Sequence, residues 1–537
     1  MRVMLAALDR IRRRLAGEEG YTMIAMMGAI ALVTSLVGVS LAATTRDVHQ
    51  TRRDLDDKRA YAAAQAGIAD YSFHLNNDNG YWARCTSVPN PNAVNQQGST
   101  TRRRLVPGTT DATYAIELLP ATGQSSCNTS NPVGSMLEQS GPSTGSFRIR
   151  STGFVDSSET KASIVATFKR ASLLDYIYFT QLETSDPVTY GFSNPSAALT
   201  GAYSQCTKFI REGRYSQPIP NAGGTYCNEI HFITGDQVKG PLHTNDALMI
   251  CGTPTFGRTA ADVIEVSAPP QGWTAECGGS NPSFVGPFVT TAPVLTPPPT
   301  NGKLKTIAGP THTRSCQTNI TLNGTDMTVQ VGTGSSATIP FPASGVFYVA
   351  NGNSACSSSA CSTAYSPFTA SYPSHSQCGN VRVSGSYSGQ LTIAAENDII
   401  VTEDIIRSGN GLLGLVANNF VRVYHPYPSQ TSRNNCGSGS GSGSLGNVRI
   451  DAAILAIQHS FIVDHYNCGS ELGTLTVNGA ISQKFRGAVG THSGGGSETG
   501  YSKNYNYDDR LRYQEPPNFL DPVQSAWHIQ RETLDFP

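Results

Sequence analysis

Three pairs of neighbouring ionisable side chains in the second half of the chain could carry out chemistry. Two carboxyl groups on one face of a strand suit glycan hydrolysis, because one protonates the leaving group while the other activates water or attacks. Alternation along a strand would place Glu396 and Asp398 on the same face. They lie at a corner between strands, however, so a structural role is the main expectation. The pairs are Glu396 with Asp398, Glu403 with Asp404, and Asp464 with His465.

Metal and cofactor motifs are not found in the sequence. His243, His459 and His465 stand singly at turns, where a histidine usually serves as a hydrogen-bonding spacer. No HExxH motif and no P-loop occurs. The sequence therefore predicts no metal, no cofactor and no enzyme, with a membrane-anchored carbohydrate-active β-helix enzyme as the alternative.

The cysteines indicate an exported protein. Their number is even and no CxxC pair occurs, so disulfides are favoured over metal binding. Spacing does not determine the connectivity, but pairing of neighbours would join 85–127, 206–227, 251–277, 316–378, 356–361 and 436–468. The cysteines are Cys85, Cys127, Cys206, Cys227, Cys251, Cys277, Cys316, Cys356, Cys361, Cys378, Cys436 and Cys468.

The elements that position these groups begin with an uncharged run from Tyr21 to Ala43. As a helix it would span about 34 Å, which matches a bilayer core. The arginines before it outnumber the acidic residues, which keeps the N-terminus in the cytoplasm and places the rest outside. Leu41-Ala42-Ala43 imitates a signal-peptide cleavage site, but the run is long and the helical pattern continues after it.

Residues 44–75 extend the same helix with an amphipathic pattern and contain no proline. One apolar position recurs every seven residues on an otherwise charged surface. The sequence thus predicts one continuous helix over 21–75, about 55 residues and about 80 Å long. The apolar positions are Val48, Leu55, Ala62 and Ala69, with Ala66 and Phe73 beside them.

The stretch GEEGYTMI, residues 17–24, resembles the class III signal of type IV prepilins and type II secretion pseudopilins. The alanine-rich segment AYAAAQAGI, residues 60–68, resembles the end of the helix in PilX-like minor pilins. The resemblance implies that a prepilin peptidase cuts between Gly20 and Tyr21, on the cytoplasmic side, and methylates the new N-terminus. The apolar helix would then remain on the mature protein as its membrane anchor.

Two positions depart from this family pattern. The first mature residue is usually Phe and here is Tyr21, and the fifth is usually Glu and here is Ala25. A carboxylate in hydrocarbon is costly unless a partner offsets it. A tip subunit has no neighbour above it to supply that partner, and loss of the glutamate resembles PilX-like proteins and the tip-located K-type pseudopilins. The resemblance therefore implies a minor subunit rather than the repeated shaft subunit.

The exported part is predicted to be mainly β. Residues 146–155 and 161–170 alternate in polarity around the turn 156–159, which predicts a hairpin in a small β unit, 76–170, that packs on the helix. From 171 to 537 a pattern near 20 residues recurs at 240–250, 392–405, 413–423, 453–464 and 473–483, with asparagines at corners. This favours a right-handed β-helix-like solenoid over a β-sandwich. The expected fold class is α+β, with residues 1–20 as leader.

Composition agrees with a structural role. The chain has 537 residues with 38 basic and 39 acidic side chains, so it lacks the basic excess that normally indicates a nucleic-acid surface, and no nucleic-acid partner is expected. The predicted function is that of a minor pilin-like or pseudopilin subunit in the bacterial cell membrane or in a surface filament. Such a subunit takes part in the assembly, priming or tip display of a surface filament or secretion pseudopilus. Its expected partners are the membrane, prepilin peptidase and other pilin-like subunits, with an unknown surface or glycan ligand. A plain single-span envelope protein is a further alternative.

Overall fold

One long helix, α1, runs from Tyr21 to Asn77 in the computed structural model. No proline interrupts these residues, and the apolar first half passes directly into a charged, alanine-rich second half. At the end of the helix the side-chain Nδ2 of Asn77 donates to the Phe73 carbonyl at 3.0 Å, shortly before the turn at Gly80. The structure describes residues 21–78, 80–85, 103–138, 146–170, 172–192, 196–275, 277–357, 360–361, 365–438, 443–493, 496–512, 514–523 and 527–535.

Three short helices and thirty-one strands follow α1 in the described residues. The helices are α2 (Pro132–Met136), α3 (Ala197–Cys206) and α4 (Gly302–Ala308). The first strands are β1 (Arg104–Leu105), β2 (Ala112–Leu119), β3 (Ser146–Val155), β4 (Thr160–Arg170), β5 (Tyr178–Leu182), β6 (Phe232–Ile233), β7 (Gln237–Lys239), β8 (Leu242–Thr244), β9 (Leu248–Cys251), β10 (Thr255–Phe256), β11 (Ile264–Val266), β12 (Trp273–Ala275), β13 (Ser283–Phe284) and β14 (Phe288–Val289).

The remaining strands are β15 (Thr313–Ser315), β16 (Thr318–Gly324), β17 (Asp326–Val331), β18 (Ala337–Pro340), β19 (Val346–Ala350), β20 (Val381–Tyr387), β21 (Gln390–Ala395), β22 (Ile399–Arg407), β23 (Leu412–Ala417), β24 (Val421–Val423), β25 (Arg449–Ile450), β26 (Ala453–Ala456), β27 (Phe461–Val463), β28 (Glu471–Phe485), β29 (Gly490–Ser493), β30 (Gly496–Tyr507) and β31 (Trp527–Asp535). The chain is therefore an apolar N-terminal helix followed by mostly β structure, which confirms the predicted α+β class.

The described residues divide into two compact units. The first contains α1, the residues up to Leu137, Phe147–Phe168 and the segment from Ile529. Its sheet has the order β1-β2-β3-β4-β31, and β1, β2 and β3 pair antiparallel. The strands β3 and β4 are the predicted hairpin. The second unit, Glu138–Ser146 with Lys169–His528, is inserted in sequence before the last strand of that sheet.

The second unit is built on a curled sheet whose strands pair mainly in parallel. Ten strands form a column, called here the long column, in the order β14-β11-β8-β5-β28-β26-β23-β21-β19-β15. A second parallel column runs β13-β10-β7-β30-β28-β25-β22-β20-β16, with β17 and β18 added antiparallel. The strands β24 and β27 continue from β22, and β12, β9 and β6 form a separate parallel sheet.

The buried core of the second unit includes an in-register apolar ladder along the long column. Phe347 pairs with Ile393, Ile393 with Leu415, and Leu415 with Ile454. Ile454 pairs in turn with Ile481, and all five side chains are buried. Each buried aliphatic or aromatic side chain contributes about 1.5–3 kcal/mol relative to exposure, so this ladder is a main source of stability in the unit.

Candidate functional site

The first half of α1 presents an apolar surface with no covering in the described residues. Every side chain described from Met23 to Ala42 is exposed, and the large apolar ones are 57–73% exposed. The only polar side chains described there are those of Thr34, Ser35 and Ser40. The hydroxyls of Thr34 and Ser35 donate to carbonyls of the preceding turn at 2.7 Å. These bonds satisfy the two hydroxyls within the helix, as a lipid-exposed segment requires. Met23–Ala42 is also long and apolar enough to cross a membrane.

The second half of α1 packs on the sheet of the first unit through small residues. Ser151 Oγ donates to the Ala64 carbonyl at 2.8 Å. A Cβ at Gly153 would overlap the backbone of Ala60 and Ala64, and one at Gly67 would overlap the Ser151 hydroxyl. Glycine at both positions therefore permits the close approach of helix and strand. The buried helix residues are Ala60, Ala63, Ala64, Gly67, Ile68, Tyr71 and Leu75.

The seven-residue stripe that the sequence singled out is not the packed face. Leu55, Ala62 and Ala69 are exposed, as is Phe73, and Ala66 is half-buried. The prediction that these residues form the apolar face is wrong in register, because the sheet packs on the neighbouring face, where Ala60, Ala64 and Gly67 permit close approach.

The predicted processing residues are only partly covered by the structure. Gly20 lies outside the described residues, with the whole of the predicted leader, 1–20. Tyr21 begins α1, and the side chains of Tyr21 and Ala43 lie outside what is described. Ala25 lies on the exposed apolar segment.

The acidic pairs that suggested chemistry have separate partners. Glu396 accepts from the backbone and side-chain nitrogens of Asn351, at 3.1 and 3.2 Å, and forms an ion pair with Lys305 at 3.5 Å. Asp398 is buried, accepts from the Phe420 amide at 3.1 Å and pairs with Arg422 at 3.1 Å. Burial raises the pKa of Asp398, and Arg422 opposes that shift. The structure therefore does not bring Glu396 and Asp398 to a shared site.

The second acidic pair, Glu403 and Asp404, lines an open groove with Ser386 and Gly446. The carboxylate of Asp404 accepts from the Arg449 amide at 2.9 Å. No third ligating side chain joins them, and no group of three or more His, Cys, Asp or Glu suited to a metal occurs in the part of the chain that the structure describes.

The side chains of the third pair, Asp464 and His465, also have different partners. Asp464 is buried and accepts from Arg422 at 2.9 and 3.0 Å and from the Tyr372 hydroxyl at 2.7 Å. The imidazole of His465 contacts Gln430 instead, at 2.7 Å, and burial lowers its pKa. Arg422 thus bridges Asp398 and Asp464 inside the unit, an arrangement that sequence reasoning missed. Its one signal was an arginine in the apolar strand VRV, 421–423.

The other two histidines contact carboxylates. The Nδ1 atom of His243 lies 3.1 Å from Glu265, and that of His459 lies 2.6 Å from Asp186. Both rings contact groups within the fold, as expected of hydrogen-bonding histidines. No sequence signal indicated the second pair, because its members are 273 residues apart.

A solved pilin structure is among the structures to which this chain is similar. No family model matches the chain, and no curated protein matches it. A crystal structure of the competence-associated pilin ComZ from Thermus thermophilus covers 90% of this chain and 98% of its own, with 12% sequence identity and a TM-score of 0.27. A TM-score this low does not establish a shared fold.

The cysteines form six disulfides, which agrees with the prediction of an oxidising compartment. Four pairs join the neighbours suggested by the sequence, Cys85–Cys127, Cys206–Cys227, Cys251–Cys277 and Cys436–Cys468. The other two suggested pairs are wrong, because the structure joins Cys316 to Cys356 and Cys361 to Cys378. The turn after β19 brings the Cys356 Cα to 5.9 Å from that of Cys316, within disulfide reach.

Proposed function

We propose that this protein is a minor pilin-like or pseudopilin-like subunit that is anchored and assembled through α1. The observation that carries the proposal is the division of one uninterrupted helix. Its segment Met23–Ala42 is apolar and exposed, and its second half packs on the sheet of the first unit. A helix of this kind suits a subunit that is stored in a bilayer and then transferred to a bundle of similar helices.

The proposed mechanism is lateral transfer. In the bilayer the apolar half of α1 contacts lipid, and in an assembly it contacts the helices of other pilin-like subunits, which replaces lipid contacts by helix packing. Ala25 places no charge in this segment. Such a subunit needs no partner above it, which favours a role in priming or capping a filament or pseudopilus, with the N-terminus in the cytoplasm and both units outside the membrane.

We also propose that the parallel columns of the second unit are faces of a right-handed β-helix-like solenoid. In-register parallel pairing over ten strands supports this reading. An asparagine ladder supports it as well, because the side-chain Nδ2 of Asn397 donates to Asn380 Oδ1 at 2.6 Å and that of Asn419 donates to Asn397 Oδ1. The solenoid would serve as the displayed surface, for contact with cargo or a glycan.

The decisive experiment is the N-terminal sequence and intact mass of the mature protein, from cells with and without prepilin peptidase. We expect a methylated Tyr21 N-terminus only when the peptidase is present. Gly20→Val should block the cut. Gly28→Val is the matched control, since a Cβ at Gly28 meets nothing within 4 Å, and it should be processed normally.

Two outcomes would contradict the proposal. A mature chain that begins at Met1, or at any residue beyond Ala43, would exclude this processing. Purification of the membrane protein without any other pilin-like subunit, under conditions that preserve filaments, would favour a plain single-span envelope protein instead.

A further inference from the structure

The second unit consists of two stacks of strands that meet at one junction. The N-terminal stack, 178–289, grows from β5 to β14, and the C-terminal stack, 313–507, runs from β15 back to β30. The stacks meet where β28 pairs with β5 and β30 pairs with β7. The junction therefore joins strands about three hundred residues apart, whereas neighbouring strands elsewhere in each stack are close in sequence.

Two ion pairs cross the junction among buried apolar side chains such as Ile481 and Tyr178. Glu183 pairs with Arg486 at 3.1 Å, and Asp236 pairs with Lys503 at 2.8 Å. Both acidic residues belong to the N-terminal stack and both basic residues to the C-terminal stack. Arg486 and Lys503 also line a small cavity there with Tyr178. Buried ion pairs of this kind select a register but add little net stability, because desolvation offsets their attraction.

A proline-rich segment crosses the junction beside the long column and is bonded to both stacks. On the N-terminal stack, the Asn245 side chain accepts from the Leu295 amide at 2.9 Å and donates to the Leu295 carbonyl at 2.6 Å. On the C-terminal stack, the Asn301 amide donates to Asn418 at 2.8 Å. The Asn301 side chain donates to the Ala395 carbonyl at 2.7 Å.

The length of this segment matches the distance that it spans. Asn245 follows β8 and Asn418 follows β23, and the long column places β5, β28 and β26 between them. Four strand spacings of about 4.8 Å give about 19 Å. The six steps from Leu295 to Asn301, at the polyproline II rise of about 3.1 Å, also give about 19 Å. The segment is therefore long enough to join its two anchors with little slack, and its Pro299 carbonyl also accepts from the Gln458 side chain.

The residues between the anchors are stiff. Pro297, Pro298 and Pro299 have φ fixed by their rings, and proline runs act as semi-rigid spacers. We infer that Leu295–Asn301 is a strut of fixed length that holds the two stacks together across their junction. Separation of β5 from β28 would require the strut to lose one of its anchors.

Hydrogen exchange of the full-length protein in detergent, followed by mass spectrometry, tests the strut. Two glycines inserted between Pro298 and Pro299 leave both anchors in place but provide slack. We expect exchange in β5, β7, β30 and the second half of β28 to accelerate at least about tenfold, while β21 and β23 are unchanged. The matched control inserts two glycines between Ser335 and Ser336, in the exposed turn of the β17–β18 hairpin, and should leave the junction unchanged.

A milder variant covers the case in which the insertion does not fold. Pro298→Ala keeps the length and both anchors but loses stiffness, so junction exchange should rise by about threefold. Pro218→Ala, at an exposed loop position, is its control. Unchanged junction exchange in Pro298→Ala would overturn the inference. So would an equal rise throughout the second unit, which would make the segment a general stabiliser.

Discussion

At the scale of single residues, the contact between α1 and the first sheet depends on two glycines. A Cβ at Gly153 would overlap backbone atoms of the helix, which cannot rotate away as a side chain can. Gly153→Ala should therefore lower the free energy of unfolding of the first unit by about 1–3 kcal/mol or more, the usual cost of overpacking. Thermal unfolding of the detergent-solubilised protein measures the change.

Gly80→Ala is the control for this substitution. A Cβ at Gly80 lies 3.4 Å from the Asp78 carboxylate, and the φ of Gly80 is −92°, which any residue adopts. The control should change the unfolding temperature little. Equal effects of the two substitutions would show that the helix and sheet are not held at close approach.

A buried carboxyl group predicts how stability depends on pH. Burial raises the pKa of Glu229 to about 7, although Arg214, 2.9 Å away, opposes the shift. The folded state then holds this proton more tightly than the unfolded state, whose carboxyl has a pKa of about 4.3. The free energy of unfolding of the second unit should fall as pH rises from about 4.3 to 7, by at most about 4 kcal/mol from this group.

Denaturant unfolding at several pH values measures that slope. Glu229→Gln removes the titrating group, so the decrease between pH 4.3 and 7 should become shallower. Glu471→Gln, at an exposed position, should retain the slope of the unmodified protein. A steeper decrease in Glu229→Gln would contradict the assigned sign.

At the scale of elements, the apolar half of α1 should tolerate no charge. Val33 lies near the middle of Met23–Ala42 and is 58% exposed. An ionised side chain at the centre of a spanning helix costs about 3 kcal/mol, so Val33→Asp should increase the fraction released from membranes by alkaline carbonate. Val33→Ala keeps the position uncharged and should remain in the membrane fraction. Full retention of Val33→Asp would argue against a lipid-facing segment.

Elements with a strong local signal were predictable from the sequence. The first helix follows from an uncharged run without proline, and the β3–β4 hairpin follows from alternation around a polar turn. The packed face of α1 was not predictable in the same way, because Leu55 and Ala62 give a regular repeat but Gly67 and Ala64 fit the sheet. Which face of α1 packs depends on the shape of the sheet surface opposite it, and the local periodicity of the helix gives no information about that surface.

At the scale of the whole molecule, the order of the strands was beyond sequence reasoning. The repeat near 20 residues located β21 to β24 and β26 to β28, because strands that neighbour one another in the parallel columns carry similar patterns. The junction of β28 with β5 joins distant segments, and no local pattern marks it. The contacts of Asp398 with Arg422, and of Asp186 with His459, depend on that stacking order. For the same reason they could not be assigned as sites from spacing.

The last strand makes the first unit depend on both ends of the chain. Within that unit, β31 lies at the edge of the sheet beside β4, and Asp535 pairs with Arg150 at 2.5 Å. Removal of residues 529–537 deletes this strand and leaves β4 with an unpaired edge. The first unit should then unfold at lower temperature and be digested several-fold faster by protease. The second unit keeps its five disulfides and its parallel columns, so its protection should be unchanged.

Asp535→Asn separates the contribution of the strand from that of the ion pair. It keeps β31 and weakens only a half-exposed ion pair, which typically contributes about 0–1 kcal/mol, so protease resistance of the first unit should change little. Limited proteolysis with N-terminal sequencing of the fragments distinguishes the two units. If truncation exposes the second unit as strongly as the first, the two units do not fold independently, and stability in this chain must be treated as a single cooperative transition.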